Sequence, residues 1–110
     1  MCGIAGSVSK KIKNNQKNHI MKMLLKIKHR GPDDLHISNS SNFCGGYVRL
    51  AINDFKKGNQ PFISQNKEVI VYYNGEIYNY KEIKKFLILK GYKFKTNCDG
   101  EILPSLYQEI

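Results

Sequence analysis

The chain opens Met1-Cys2-Gly3-Ile4-Ala5-Gly6. If the initiator methionine is removed, Cys2 becomes the first residue and carries a thiol and a free α-amine on one carbon. A free α-amine has a reference pKa of about 7.7–8.0, so part of it is unprotonated near neutral pH. A neighbouring basic amine can activate a thiol as a nucleophile. Ile4 and Ala5 begin a buried strand over residues 2–8, and Gly3 and Gly6 keep bulk away from the thiol. Taken alone, a single unassigned cysteine is more often packing than chemistry, so the rest of the chain has to decide.

Working outward, Ile20, Leu24 and Ile27 recur at i, i+4 and i+7, which predicts a helix over 16–28 with Met21, Met23 and Leu25 widening its apolar face. Arg30-Gly31-Pro32-Asp33-Asp34 is a turn, because Gly-Pro cannot continue a helix. A short strand over 35–38 and a polar tip at 39–42 lead into a strand over 43–52, where Gly45-Gly46 permits close backbone approach. Residues 55–61 are a loop. The β-branched and aromatic stretch 68–73 predicts a strand that breaks at Asn74-Gly75. Asn79 with Glu82 three residues later is a capping-box pattern for a second helix that stops at Gly91. Residues 92–96 read as a strand. Asp99 caps a last helix to 110, which Pro104 kinks or delays.

The length suits one small domain. Its 18 Lys+Arg exceed 9 Asp+Glu, but only Arg30 and Arg49 are arginine and the lysines are scattered, which argues for a solvated surface rather than nucleic-acid binding. Cys2, Cys44 and Cys98 show neither disulfide-framework nor zinc spacing, so no metal site and a reducing, cytoplasmic setting are expected. No signal peptide and no membrane partner are expected. His19, His29 and His36 have no ligand spacing.

Five separated stretches then line up in one order: MCGIAG (1–6), HRGPD (29–33), GYVRLAIND (46–54), YNGEIYNYKE (73–82) and CDGE (98–101). In this the chain resembles the class II, N-terminal-nucleophile glutamine amidotransferase domain, and most closely the glutaminase domain of asparagine synthetases. The resemblance implies an α+β fold of the αββα sandwich type, with residues 1–110 supplying about the first half of the domain. It implies L-glutamine as substrate and no cofactor in this chain. ATP and Mg²⁺ are expected only in an absent synthetase domain, and a second chain or a further C-terminal region is expected to complete the sandwich. The alternative expectation is a truncated, inactive remnant that binds a partner.

Residue by residue, the resemblance makes Cys2 the nucleophile, with its own α-amine as base. Asn74, through its side-chain amide, and Gly75, through its backbone N–H, match the oxyanion hole. Arg49 matches the residue that holds the substrate carboxylate, for which a guanidinium suits bidentate binding. Asp99 matches the partner of the substrate ammonium, Glu76 a residue at the same end, and Leu50 and Ile52 positions that contribute backbone contacts. Arg30 and Asp33 are expected to be structural. The chain departs from the family pattern at Tyr47, Val48, Ala51, Asn53 and Gly100, none of which is a catalytic group.

Overall fold

A computed structural model describes residues 2–50 and 60–110. The chain folds as two compact units, Met1–Ala51 and Ile52–Ile110, in a mixed α+β arrangement with one small sheet in each. Such alternation of strands and helices around two sheets is consistent with the αββα type.

In the first unit, β1 (Gly3–Val8), α1 (Gln16–Lys26), β2 (Asp34–Asn39) and β3 (Phe43–Arg49) follow one another. The sheet order is β1-β3-β2 and both pairings are antiparallel. β3 is therefore the central strand, with Gly3 opposite Val48 on one side and Leu35 opposite Val48 on the other. Side chains alternate across a strand. Cys44 and Val48 accordingly meet α1, where Ile20 and Leu24 complete a core that Ala5, Ile12, Ile27, Leu35 and Ile37 flank. Ile20 and Leu24 are fully buried, each contributing about 1.5–3 kcal/mol. The apolar face of α1 is narrower than the sequence suggested: Met23 and Leu25 are about half exposed. Residues one position to either side of Leu24 sit 100° around the helix, beyond the sheet's reach. Cys44 is sealed in this core and packs as a small apolar residue.

In the second unit, β4 (Phe62–Ile63) and β5 (Ile70–Val71) form a two-stranded antiparallel sheet, followed by α2 (Tyr80–Leu89) and α3 (Ile102–Glu109). The strand expected over 68–73 reduces to two residues, because its partner β4 is equally short. The expected strand over 92–96 does not form. The Glu101 carboxylate instead accepts the backbone N–H groups of Lys95 (2.7 Å) and Thr96 (2.8 Å). Asn79 does precede α2, but its side chain makes no capping bond; the first turn is closed by backbone bonds from Glu82 and Ile83 to the Asn79 carbonyl. α3 begins after a single 3-10 turn, Asp99–Glu101, and Pro104 falls in its first turn, where a backbone N–H has no helical partner in any case.

Gly91 ends α2 as expected, at φ 97°. The N–H of Tyr92 bonds the Leu87 carbonyl at 3.0 Å and that of Gly91 bonds Ile88 at 3.0 Å, the paired bonds of a Schellman stop. A Cβ there would meet nothing within 4 Å, so the cost of Gly91→Ala is backbone strain alone. It should destabilise the protein by about 1–2 kcal/mol in chemical denaturation.

Candidate functional site

The first unit gathers Cys2, Arg49 and Leu50 at one end of its sheet. Cys2 lies just before β1 and Leu50 just after β3, where antiparallel pairing brings them side by side. The Leu50 N–H points at the Cys2 sulfur (3.4 Å), and the thiol lies 3.7 Å from the Leu50 carbonyl oxygen. Cys2 is only partly covered, unlike Cys44. The Cys2 sulfur is reachable from solvent and faces a backbone N–H, whereas the Cys44 thiol is closed off in the core.

The HRGPD stretch braces this end of the sheet. The Arg30 Nε donates to the Cys2 carbonyl at 3.2 Å. Pro32 bridges Arg49 in parallel, and the Asp33 N–H donates to the Arg49 carbonyl at 3.0 Å. Gly31 runs against β3 so closely that a Cβ would lie 2.5 Å from the Arg49 backbone. The Arg30 side chain thus holds the Cys2 backbone, and the Asp33 backbone holds that of Arg49. Arg49 itself is 7% exposed, a cation largely withdrawn from water. In the sheet, Asp34 stands opposite Arg49, and its carboxylate accepts the Tyr47 hydroxyl at 3.2 Å.

The second unit gathers the remaining described candidates around the turn that follows β5. Asn74, Gly75 and Glu76 are exposed on this turn. Asp99, at the start of the last helical segment, reaches the residues on either side of this turn, Tyr73 and Ile77. One of its carboxylate oxygens accepts the Ile77 N–H at 2.8 Å and the Tyr73 hydroxyl at 3.4 Å; the other accepts the Gly100 N–H at 2.9 Å. Its expected role as a helix cap is therefore replaced by a tie between residues 22 positions apart. Gly100, a departure from the family pattern, is buried, and any Cβ there would collide with the Phe62 ring. Ile52 lies outside the described residues.

Partial burial pushes the Tyr73 hydroxyl up to about 12, and the adjacent Asp99 carboxylate adds to the rise. Below its ordinary value of 10.0 the group is protonated in both folded and unfolded chains. Between 10.0 and about 12 only the unfolded chain ionises, so stability falls as pH rises through that window. Tyr73→Phe removes this dependence. Between about pH 9 and about pH 11 the variant should lose less denaturation midpoint than the parent.

Gln60, which sequence reasoning left inside a loop, proves to be part of this cluster. Its Nε2 donates to the Tyr73 carbonyl at 2.5 Å and its Oε1 accepts the Tyr73 N–H at 2.6 Å. No periodicity or motif marks a glutamine for such a role.

The comparisons with known proteins bear on both groups of residues. The whole chain, residues 1–110, matches the glutamine amidotransferase domain family. The chain belongs to that family. Among its relatives, the glutamine-hydrolysing asparagine synthetase 2 of Bacillus subtilis is 41% identical over 114 residues, covering 99% of this chain and 15% of the relative. The nodule asparagine synthetase of Pisum sativum is 36% identical over 110 residues, covering 99% of this chain and 18% of the relative. The glutamine-hydrolysing asparagine synthetase of Sandersonia aurantiaca is also 36% identical over 110 residues, covering 99% of this chain and 21% of the relative. This glutamine amidotransferase domain thus spans about a fifth or less of the relatives it matches. No helix among the described residues is long and apolar enough to cross a membrane.

Proposed function

We propose that the chain carries the glutamine-hydrolysing site of an asparagine-synthetase-like enzyme and releases ammonia for asparagine synthesis. The observation that supports this best is the placement of Cys2: partly exposed, its sulfur facing the Leu50 N–H, its carbonyl held by Arg30. With Met1 removed, the Cys2 α-amine takes the thiol proton as sulfur attacks the side-chain amide carbon of glutamine. The tetrahedral intermediate collapses to a γ-glutamyl thioester, and the amine returns the proton to the leaving ammonia. Water then adds to the thioester and releases glutamate and the thiol.

In this reading Asn74 and Gly75 donate to the oxyanion, and losing one such donor costs about 2.7–4 kcal/mol of transition-state stabilisation. Arg49 holds the substrate carboxylate and Asp99 its ammonium, with Glu76 beside it and Leu50 and Ile52 supplying backbone contacts. The partners are L-glutamine and a further region, in the same or a second chain, that completes the domain and accepts the ammonia in a cytoplasmic setting. ATP and Mg²⁺ belong to that region. Among the described residues no three or more His, Cys, Asp or Glu side chains are grouped to hold a metal ion.

The test is covalent labelling with a glutamine analogue whose amide is replaced by a chloroketone, alongside ammonia release from glutamine. A mass shift on the Cys2 peptide supports the reading. A label on Cys44 or Cys98, or no label with no ammonia, discards it in favour of a remnant that binds a partner.

A further inference from the structure

We infer that Gln60 is a positioning residue for the Asn74–Gly75 turn, its side-chain amide taking the place of a strand neighbour where the β4–β5 sheet runs out. The inference deepens the reading of that turn as the oxyanion site and rests on it.

Phe62 pairs with Val71 and Ile63 with Ile70, and the ladder of the two strands ends there. Tyr73 lies two residues beyond Val71, yet both of its backbone groups are bonded as a strand neighbour would bond them. The side chain of Gln60 makes these bonds: Nε2–H to the Tyr73 carbonyl and Oε1 from the Tyr73 N–H. A primary amide carries a carbonyl acceptor and two N–H donors in one plane, and its oxygen and one N–H point the same way, as the C=O and N–H of a single strand residue do.

The effect is to lock the backbone one residue before Asn74. The far end of the turn is locked as well, since the Ile77 N–H is held by Asp99 at 2.8 Å. Between the two ties, the Tyr73 ring lies against Gly75, 3.0–3.2 Å from where a Cβ would stand, and its hydroxyl reaches Asp99. The exposed residues 74–76 lie between these two ties. Donors to a developing oxyanion act only if they are aimed before the charge appears, to within about 0.5 Å. Gln60 touches no substrate in this scheme. It acts through Tyr73.

The experiment compares Gln60→Ala and Gln60→Glu in the otherwise intact protein. In Gln60→Glu the side chain keeps its length and the acceptor for the Tyr73 N–H, but an anionic oxygen replaces the donor to the Tyr73 carbonyl. Both variants should lower kcat for glutamine hydrolysis about tenfold or more while KM stays within about twofold, the split expected when only transition-state contacts are lost. Amide hydrogen exchange, read in the same proteins without reference to activity, should accelerate about tenfold or more at residues 73–77 and stay unchanged at Ala5 and Cys44 in the first sheet. Parent-like kcat in Gln60→Glu, as a space-filling role predicts, overturns the inference. So does unaltered exchange at 73–77 in either variant. If Gln60→Ala fails to fold, the isosteric Gln60→Glu carries the comparison. If the parent releases no ammonia, the functional reading fails, and exchange alone decides whether Gln60 holds the turn.

Discussion

Replacing Cys2 with alanine is expected to reduce ammonia release from glutamine to about a thousandth of the parent rate or less, with folding intact. Removing a nucleophile that acts in concert with its base takes away nearly the whole rate gain of such a site, on the order of 10⁴–10⁶-fold in well-studied hydrolases. The structure adds why stability should be spared. Cys2 lies outside β1, is partly exposed, and meets the Leu50 backbone only through long sulfur contacts of 3.4 and 3.7 Å. The bond from Arg30 uses the Cys2 backbone carbonyl and survives the substitution. Ammonia release and a denaturation curve on the same preparation check both halves. A Cys2→Ala protein that hydrolyses glutamine at the parent rate would sink the mechanism, whereas Cys44→Ala should affect stability first, because Cys44 sits in the core.

The second large effect is on stability. Gly31→Ala should destabilise the protein by about 3 kcal/mol, the upper range for overpacking a closed contact. Its Cβ would lie 2.5 Å from both the nitrogen and the carbonyl carbon of Arg49, and 2.6 Å from the carbonyl carbon of Val48. All three are backbone atoms of the central strand, so no rotamer change can relieve the clash. The chain must part from β3, which breaks the Pro32 bridge and the Asp33 bond to Arg49. For a unit of this size such a loss corresponds to a fall in Tm of roughly 10 °C or more. Gly91→Ala is the informative comparison, since it strains only its own φ in open space. Should Gly31→Ala prove no more costly than Gly91→Ala, the brace described for residues 30–33 is wrong.

Much of this was legible in the amino-acid order because the relevant forces are local. The i, i+4, i+7 spacing of Ile20, Leu24 and Ile27 marks α1 because it places three apolar side chains on one stripe. Gly91 marks the end of α2 because glycine alone tolerates its φ without strain. Where strand composition misled, a side chain had taken the backbone's hydrogen bonds in place of a strand partner. Residues 92–96 have strand composition, yet Glu101 holds the N–H groups of Lys95 and Thr96. Residues 68–73 likewise have strand composition, but the ladder closes after Val71 and a glutamine side chain serves Tyr73.

The sequence by itself determined the family, through five short motifs in one order, and with it the residues to watch: Cys2, Arg49, Asn74, Gly75, Glu76 and Asp99. Only the tertiary structure decided what holds them. Arg30 reaches Cys2 across 28 positions, Leu50 meets its sulfur across 48, and Asp99 ties the 73–77 turn across 22. The physical reason is that composition and periodicity report which face a residue buries over one or two turns or a few strand positions. Contacts between residues tens of positions apart are set by how strands pair and where the chain closes back on itself, and no local pattern encodes that closure.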